Sequence, residues 1–155
     1  HDLLLEAYAR AQIRHKLVIL GEGELRQNLE NKAKSLGIAN RVYFVGKRKN
    51  PYPWMKHADL FVLTSEYEGL GIVLTEALAC ATPILSVDSR GGVRDVFRGE
   101  LQAFLTPRTV DGLAEGLSSV VARLPVTVKA EWLAPFRSNV VVDAFLEPVN
   151  RERHK

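Results

Sequence analysis

Residues 65–83 read Ser65-Glu66-Tyr67-Glu68-Gly69-Leu70-Gly71-Ile72-Val73-Leu74-Thr75-Glu76-Ala77-Leu78-Ala79-Cys80-Ala81-Thr82-Pro83. They follow a short apolar run, Leu60–Leu63, and pass through two glycines. They then enter an apolar helical pattern, from Ile72 to Cys80, that must stop before Pro83. The order is strand, turn, helix. Two carboxylates, Glu68 and Glu76, bracket the turn with seven residues between them.

The same order repeats on either side. Apolar runs Leu17–Leu20, Val42–Val45 and Ile84–Val87 are, like Leu60–Leu63, too short for stable helices and read as strands buried on both faces. Helical patterns lie between them. Leu3, Leu4, Leu5, Ala7, Tyr8 and Ala11 form one. Leu25, Leu29, Ala33 and Leu36 form another, with Gly37 placed to end it. Leu113, Leu117, Val120, Val121 and Leu124 form a later helix with Thr109 as N-cap, and a last helix is expected over 139–146 before Pro148. Alternating strands and helices predict an α/β fold: a Rossmann-like parallel sheet with helices on both faces. One domain over residues 1–150 is expected, with 151–155 as a frayed tail.

In such sheets ligands bind beyond the carboxyl ends of the strands. That edge should carry Gly21-Glu22-Gly23, Gly46-Lys47-Arg48-Lys49-Asn50, Ser65 to Gly71, and Asp88-Ser89-Arg90-Gly91-Gly92. Short glycine turns are common connectors, so any one loop is weak evidence; their coincidence on one edge is stronger. At Gly69-Leu70-Gly71 a glycine backbone without Cβ lets a phosphate approach the unpaired N–H groups and positive end of the next helix. The same turn serves equally as a tight connection with no ligand. Glu76, one turn into an otherwise apolar helix, is either a solvated glutamate or an acceptor for two sugar hydroxyls. Glu68 is either a solvated loop carboxylate or a contact to a transferred sugar. Read as a unit, the stretch points to a nucleotide-sugar site.

Composition narrows the classes. The chain has 155 residues, is 46% hydrophobic and 25% charged, and carries net charge +3. These are ordinary values for a globular domain. One cysteine excludes an internal disulfide and fits a reducing compartment. No run of about 18 apolar residues is present to span a membrane, and no signal-peptide pattern opens the chain, so a cytoplasmic location is expected. The small positive charge permits peripheral contact with an anionic inner membrane face. Scattered basic residues without interleaved aromatics argue against nucleic acid.

The stretch resembles the Glu-(seven residues)-Glu motif of family 4 retaining glycosyltransferases of the GT-B fold (glycosyl transferases group 1). Their pattern is S-x-x-E-G-[FL]-[GP]-x-x-x-x-E-A-[ML]-A-x-G-x-P. This chain reads S-E-Y-E-G-L-G-I-V-L-T-E-A-L-A-C-A-T-P. The resemblance extends over about residues 2–125 through Leu17–Gly23, Arg41–Gly46, Ala58–Leu63, Pro83–Asp88 and Gly91-Gly92. It implies the C-terminal, donor-binding half of such an enzyme, working in polysaccharide or lipopolysaccharide synthesis. Glu76 would hold the ribose of a UDP-sugar or GDP-sugar, and Glu68 would contact the transferred sugar as the catalytic residue. The N–H groups of Gly69, Leu70, Gly71 and Ile72 would receive the diphosphate. Lys47 would pack the nucleobase, and is otherwise a solvated loop lysine. Gly91-Gly92 would shape the site floor. No cofactor or metal is implied: the chain has no D-x-D motif, so helix dipole and cationic side chains would offset phosphate charge. The acceptor, a glycan or lipid-linked sugar, would belong to an N-terminal domain that this sequence does not contain. The arginine and lysine that family members carry before the first helix are also not in it. Weak donor binding and little or no transfer by this chain alone are therefore expected.

Departures mark a divergent member. Ala81 replaces the family's glycine before Thr-Pro, so that turn is expected to avoid positive φ. Asp95 stands where Glu is common, and a glycine usual near Ala103 is absent. Two other readings stay open: an epimerase of the same fold, and a non-catalytic nucleotide- or partner-binding module. A receiver-like module would need an acidic pair after Leu17–Leu20, which is lacking, although Asp88 follows a strand. Cys80 is expected as a buried, inert thiol, and His57 in a short helix packed by Trp54. Trp132 and Phe136 are expected to pack on a C-terminal helix. His1, His15 and His154 have no metal-ligand spacing.

Overall fold

The computed structural model describes residues 1–137; the expected helix over 139–146 and the tail lie outside the described residues. In chain order the elements are α1 (Asp2–Ala11), β1 (Leu17–Leu20), α2 (Arg26–Ser35), β2 (Val42–Gly46), α3 (Tyr52–His57), β3 (Phe61–Leu63), β4 (Tyr67–Glu68), α4 (Ile72–Ala79), β5 (Ile84–Val87), β6 (Arg90–Gly91), α5 (Val93–Val96), β7 (Leu105–Thr106), α6 (Val110–Val121) and α7 (Ala130–Leu133). Every strand pairing among the described residues is parallel. β1 pairs β2, β5 lies between β3 and β7, and β4 pairs β6 in a two-residue ladder. The α/β alternation thus folds as expected, although the ladders form three separate pieces among the described residues.

The strands are less uniformly buried than their apolar runs suggest. Only β5 is buried at all four positions. Its one polar residue, Ser86, is fully buried because the carbonyls of Leu63 and Val87 accept from its hydroxyl at 3.2 and 3.0 Å. β1 and β2 instead leave Val18 and Tyr43, paired in register, on an open face with Lys16 over the Tyr43 ring. The expectation of burial on both faces fails there because, among the described residues, helices cover only one side of that pair.

Among the described residues, two apolar clusters form the core. In the first, Leu4, Leu5, Ala7 and Tyr8 of α1 and Leu113, Leu117 and Val120 of α6 pack with Ile19, Leu29, Val42, Leu85 and Val87. In the second, Leu74, Ala77 and Leu78 of α4 pack with Ile84, Val93, Val96, Phe97 and Leu101. β5 contributes to both. Trp132 and Phe136 pack against the second cluster, and the Trp132 ring meets Phe104 edge-on at 6.0 Å. They sit on α7 and a following 3-10 turn, Ala134–Phe136, rather than on one helix. Thr109 caps α6 as expected: its hydroxyl accepts from the Gly112 N–H at 3.1 Å.

Candidate functional site

The carboxyl ends of the strands gather the glycine loops. Gly21 N–H donates to the Gly46 carbonyl at 3.0 Å, joining the loops after β1 and β2. In the first of these, Glu22 is occupied by Arg26, whose Nη2 also donates to the Phe44 carbonyl at 3.0 Å. The loops after β3 and β5 are joined more tightly. Ser89 donates its hydroxyl to the Ser65 carbonyl at 2.6 Å, Arg90 N–H donates to Glu66, and Gly92 N–H donates to both Glu68 and Gly69.

Gly91 and Gly92 must be glycine at this junction. A Cβ on Gly91 would lie 2.0 Å from the Glu68 carbonyl oxygen, and one on Gly92 would lie 2.1 Å from that of Gly69. Gly91 also takes φ +101, outside the ordinary range of L side chains. The two glycines thus fix the backbone from Glu68 to Gly69 from below. Gly71, at φ +59, then turns the chain into α4 as its N-cap. Among the described residues, the loop and cap hydrogen bonds include none donated by Gly69, Leu70, Gly71 or Ile72. The turn therefore leaves these N–H groups unpaired at the start of an eight-residue helix, the arrangement that favours an anion.

Glu76 lies on the half-exposed side of α4, whose Leu74, Ala77 and Leu78 are buried. Its Oε1 accepts from the Tyr52 hydroxyl at 3.0 Å, a contact the sequence reading missed. The available signal was a hydroxyl-bearing aromatic at the start of α3, just after the carboxyl end of β2. This contact joins α3, which follows β2, to α4, which follows β3 and β4. The Glu76 hydrogen bond, reinforced by the carboxylate's charge, holds the Tyr52 hydroxyl above its ordinary pKa. Glu68 sits half-buried on β4 with its carbonyl bonded to Gly92. Lys47 follows Gly46 and is exposed, while its neighbour Arg48 stacks over the Trp54 ring at 5.9 Å. Asp88 is engaged by Arg94 through two hydrogen bonds of 2.8 and 2.5 Å, which hold its carboxyl below the usual carboxylate range. Leu70 and Ile72 are 65% and 63% exposed, an apolar border to the turn. Among the described residues no group of three or more His, Cys, Asp or Glu side chains converges as a metal site would require.

Three expectations about single residues are corrected. Ala81 does not avoid positive φ: it adopts φ 62, closing α4 as the glycine would. Cys80 is half-buried rather than buried, because it falls at the C-cap of α4 where the helix leaves the core. The buried anchor of α3 is Met55, whereas Trp54 is 39% exposed beneath Arg48. His57 is tied to the Pro53 carbonyl at 2.7 Å.

Fold and edge together define a Rossmann-like α/β domain. The sequence profile of the family described as "Glycosyl transferases group 1" matches residues 1–124, and the chain belongs to that family. The chain is 32% identical over 150 residues to the lipopolysaccharide core biosynthesis glycosyltransferase LpsE of Rhizobium meliloti, covering 93% of this chain and 44% of LpsE. It is 40% identical over 97 residues to the Campylobacter jejuni enzyme named N-acetylgalactosamine-N,N'-diacetylbacillosaminyl-diphospho-undecaprenol 4-alpha-N-acetylgalactosaminyltransferase, covering 63% of this chain and 27% of that protein. Among solved structures, the lipopolysaccharide outer core galactosyltransferase WaaB superposes with a TM-score of 0.85 at 23% identity, over 97% of this chain and 44% of WaaB. Anabaena HepE in complex with UDP-glucose gives 0.77 at 25% identity, over 97% of this chain and 45% of HepE. The chain thus spans less than half the length of these relatives. No helix among the described residues is long and apolar enough to cross a membrane.

Proposed function

We propose that this chain binds the donor of a retaining, metal-independent hexosyltransferase that moves a sugar from a nucleotide-diphosphate sugar to a glycan or lipid-linked acceptor. One observation carries the reading. The Gly69-Leu70-Gly71 turn, seated on Gly91-Gly92 without room for a Cβ, opens its N–H groups at the head of α4, and Glu76 stands one turn further on. A diphosphate placed at those N–H groups sets its ribose within reach of a carboxylate on the same helix. Glu68, on the strand entering the turn, is then the carboxylate for the transferred sugar, and exposed Lys47 is the cation for the nucleobase side. The family membership and the UDP-glucose complex of HepE support a nucleotide sugar as ligand.

The chemistry asked of these residues is positioning and charge stabilisation. As the glycosidic bond to the diphosphate breaks, negative charge grows on the leaving phosphate. Fixed N–H dipoles aimed at that charge stabilise it without reorganising. Retention follows if the acceptor attacks from the face the diphosphate leaves. The acceptor, and any contact with the inner face of a membrane, would be supplied through chain beyond this half of the enzyme.

The test is a titration of the 155-residue chain with UDP-glucose and a GDP-sugar, alongside Glu76→Ala. High-micromolar binding, on the order of −5 kcal/mol, that weakens at least tenfold in the variant is expected. No binding at millimolar ligand, or binding indifferent to Glu76, would reject the donor-site reading.

A further inference from the structure

Glu76 has three side-chain torsions, and a free glutamate on a helix surface must lose rotamer freedom to grip a ligand. Here one oxygen is already held by the Tyr52 hydroxyl at 3.0 Å. Tyr52 is held in turn. Its backbone N–H donates to Asn50 Oδ1 at 3.1 Å, an Asx turn that leads into α3. The far end of α3 is tied to the segment after α4, where the buried Thr82 hydroxyl donates to the Met55 carbonyl at 2.6 Å. The spacing of α3 and α4 is therefore set independently of the bridge, and the bridge fixes the carboxylate rather than the helices.

Proton counting gives the pair its selectivity. A phenol has one hydrogen, and Glu76 receives it. Tyr52 Oη is left with lone pairs only, and the ionised carboxylate has lone pairs only. The hydroxyl is protonated around neutral pH, as a phenol ordinarily is, and the Glu76 carboxylate pushes its pKa further up. Two adjacent side chains thus offer a row of acceptors and no donor.

We infer that Tyr52 and Glu76 act as one acceptor pair that reads a vicinal diol on the ligand, with Tyr52 as the positioning and specificity-determining residue. The matching chemistry is two neighbouring O–H donors, as a ribose presents at its 2′ and 3′ positions. A ring without them would leave the acceptors unpaired and bind more weakly. The inference rests on the reading of Glu76 as the ribose ligand.

Ligand-observed NMR titrations of the 155-residue chain with uridine diphosphate and 2′,3′-dideoxyuridine diphosphate test it. The unsubstituted chain should prefer the ribonucleotide. Tyr52→Phe should weaken the ribonucleotide about three- to tenfold and leave the dideoxy compound unchanged, so the preference shrinks. In a Glu76→Ala background, Tyr52→Phe should cost less than it does in the parent chain, because there is no carboxylate left for it to position. Equal weakening of both nucleotides would assign Tyr52 a role in packing α3 only, and an unchanged preference would assign it none; either overturns the inference while leaving the donor site standing. If Glu76→Ala keeps the full preference, or no nucleoside diphosphate binds at all, the donor-site reading falls and the acceptor pair with it.

Discussion

Ala81 closes α4 at φ 62, where its Cβ crowds the following carbonyl at a cost of about 1–2 kcal/mol. The residue pattern identified the missing glycine correctly and drew the wrong backbone from it. The chain keeps the tight turn because Thr82 must be buried against Met55 and Pro83 must lead into β5, so the strain is accepted locally. Ala81→Gly should therefore raise stability by about 1 kcal/mol, read as a higher urea midpoint with an unchanged slope. Gly92→Ala has the opposite sign. Its Cβ would fall 2.1 Å from the Gly69 carbonyl oxygen, so the turn below Leu70 must move. A loss of about 2 kcal/mol and abolished nucleotide binding are expected from denaturation and titration of the purified variant. Glu68 and Glu76 were recognisable as a pair from spacing. Tyr52 was not, because the 24 residues separating it from Glu76 hide a contact that only the docking of α3 on α4 creates.

At the level of elements, short-range chemistry was the most legible. Thr109 announced the start of α6, and its hydroxyl caps that helix. Thr109→Ala should cost about 1 kcal/mol, seen as a lower Tm without loss of nucleotide binding. The β5–α5 connection carries a pH signature. Asp88 accepts two hydrogen bonds from Arg94, which lower its carboxyl pKa in the folded state against desolvation that raises it. A depressed folded pKa contributes stability that is present above the unfolded value of about 3.9 and is lost as pH falls through the folded value. Asp88→Asn should thus be less stable than the parent at neutral pH, and the gap should close as pH drops below about 4. A gap that persists at pH 2 would show that the pair acts through packing rather than charge. The four apolar runs were found within a residue of β1, β2, β3 and β5, since such a run between turn signals has few other uses, whereas the two-residue strands β4, β6 and β7 carry no such run and were not foreseen. The burial of the four runs was not legible, because whether a second face is covered depends on helices placed elsewhere.

For the whole molecule, the two apolar clusters share β5, with Ile84 in one and Leu85 in the other. Strands that face two cores couple them. Ile84→Ala and Leu85→Ala should each cost about 2–5 kcal/mol and shift one common transition, whether followed by circular dichroism or tryptophan fluorescence. Two separated transitions would show that the clusters unfold independently. The same coupling explains the limits of reading this chain from one dimension. Hydrophobic period, glycine and proline placement and helix caps are local properties, so the sequence alone determined the alternation of strand and helix, the parallel pairing, the gathering of glycine loops at the carboxyl ends of the strands and the Glu68–Glu76 spacing. Only the tertiary structure decided which strands are covered on both faces, how Gly91-Gly92 lock beneath Glu68 and Gly69, and that Tyr52 reaches Glu76. Those contacts join residues far apart in the chain, and their existence depends on how separate elements pack rather than on what either segment prefers by itself.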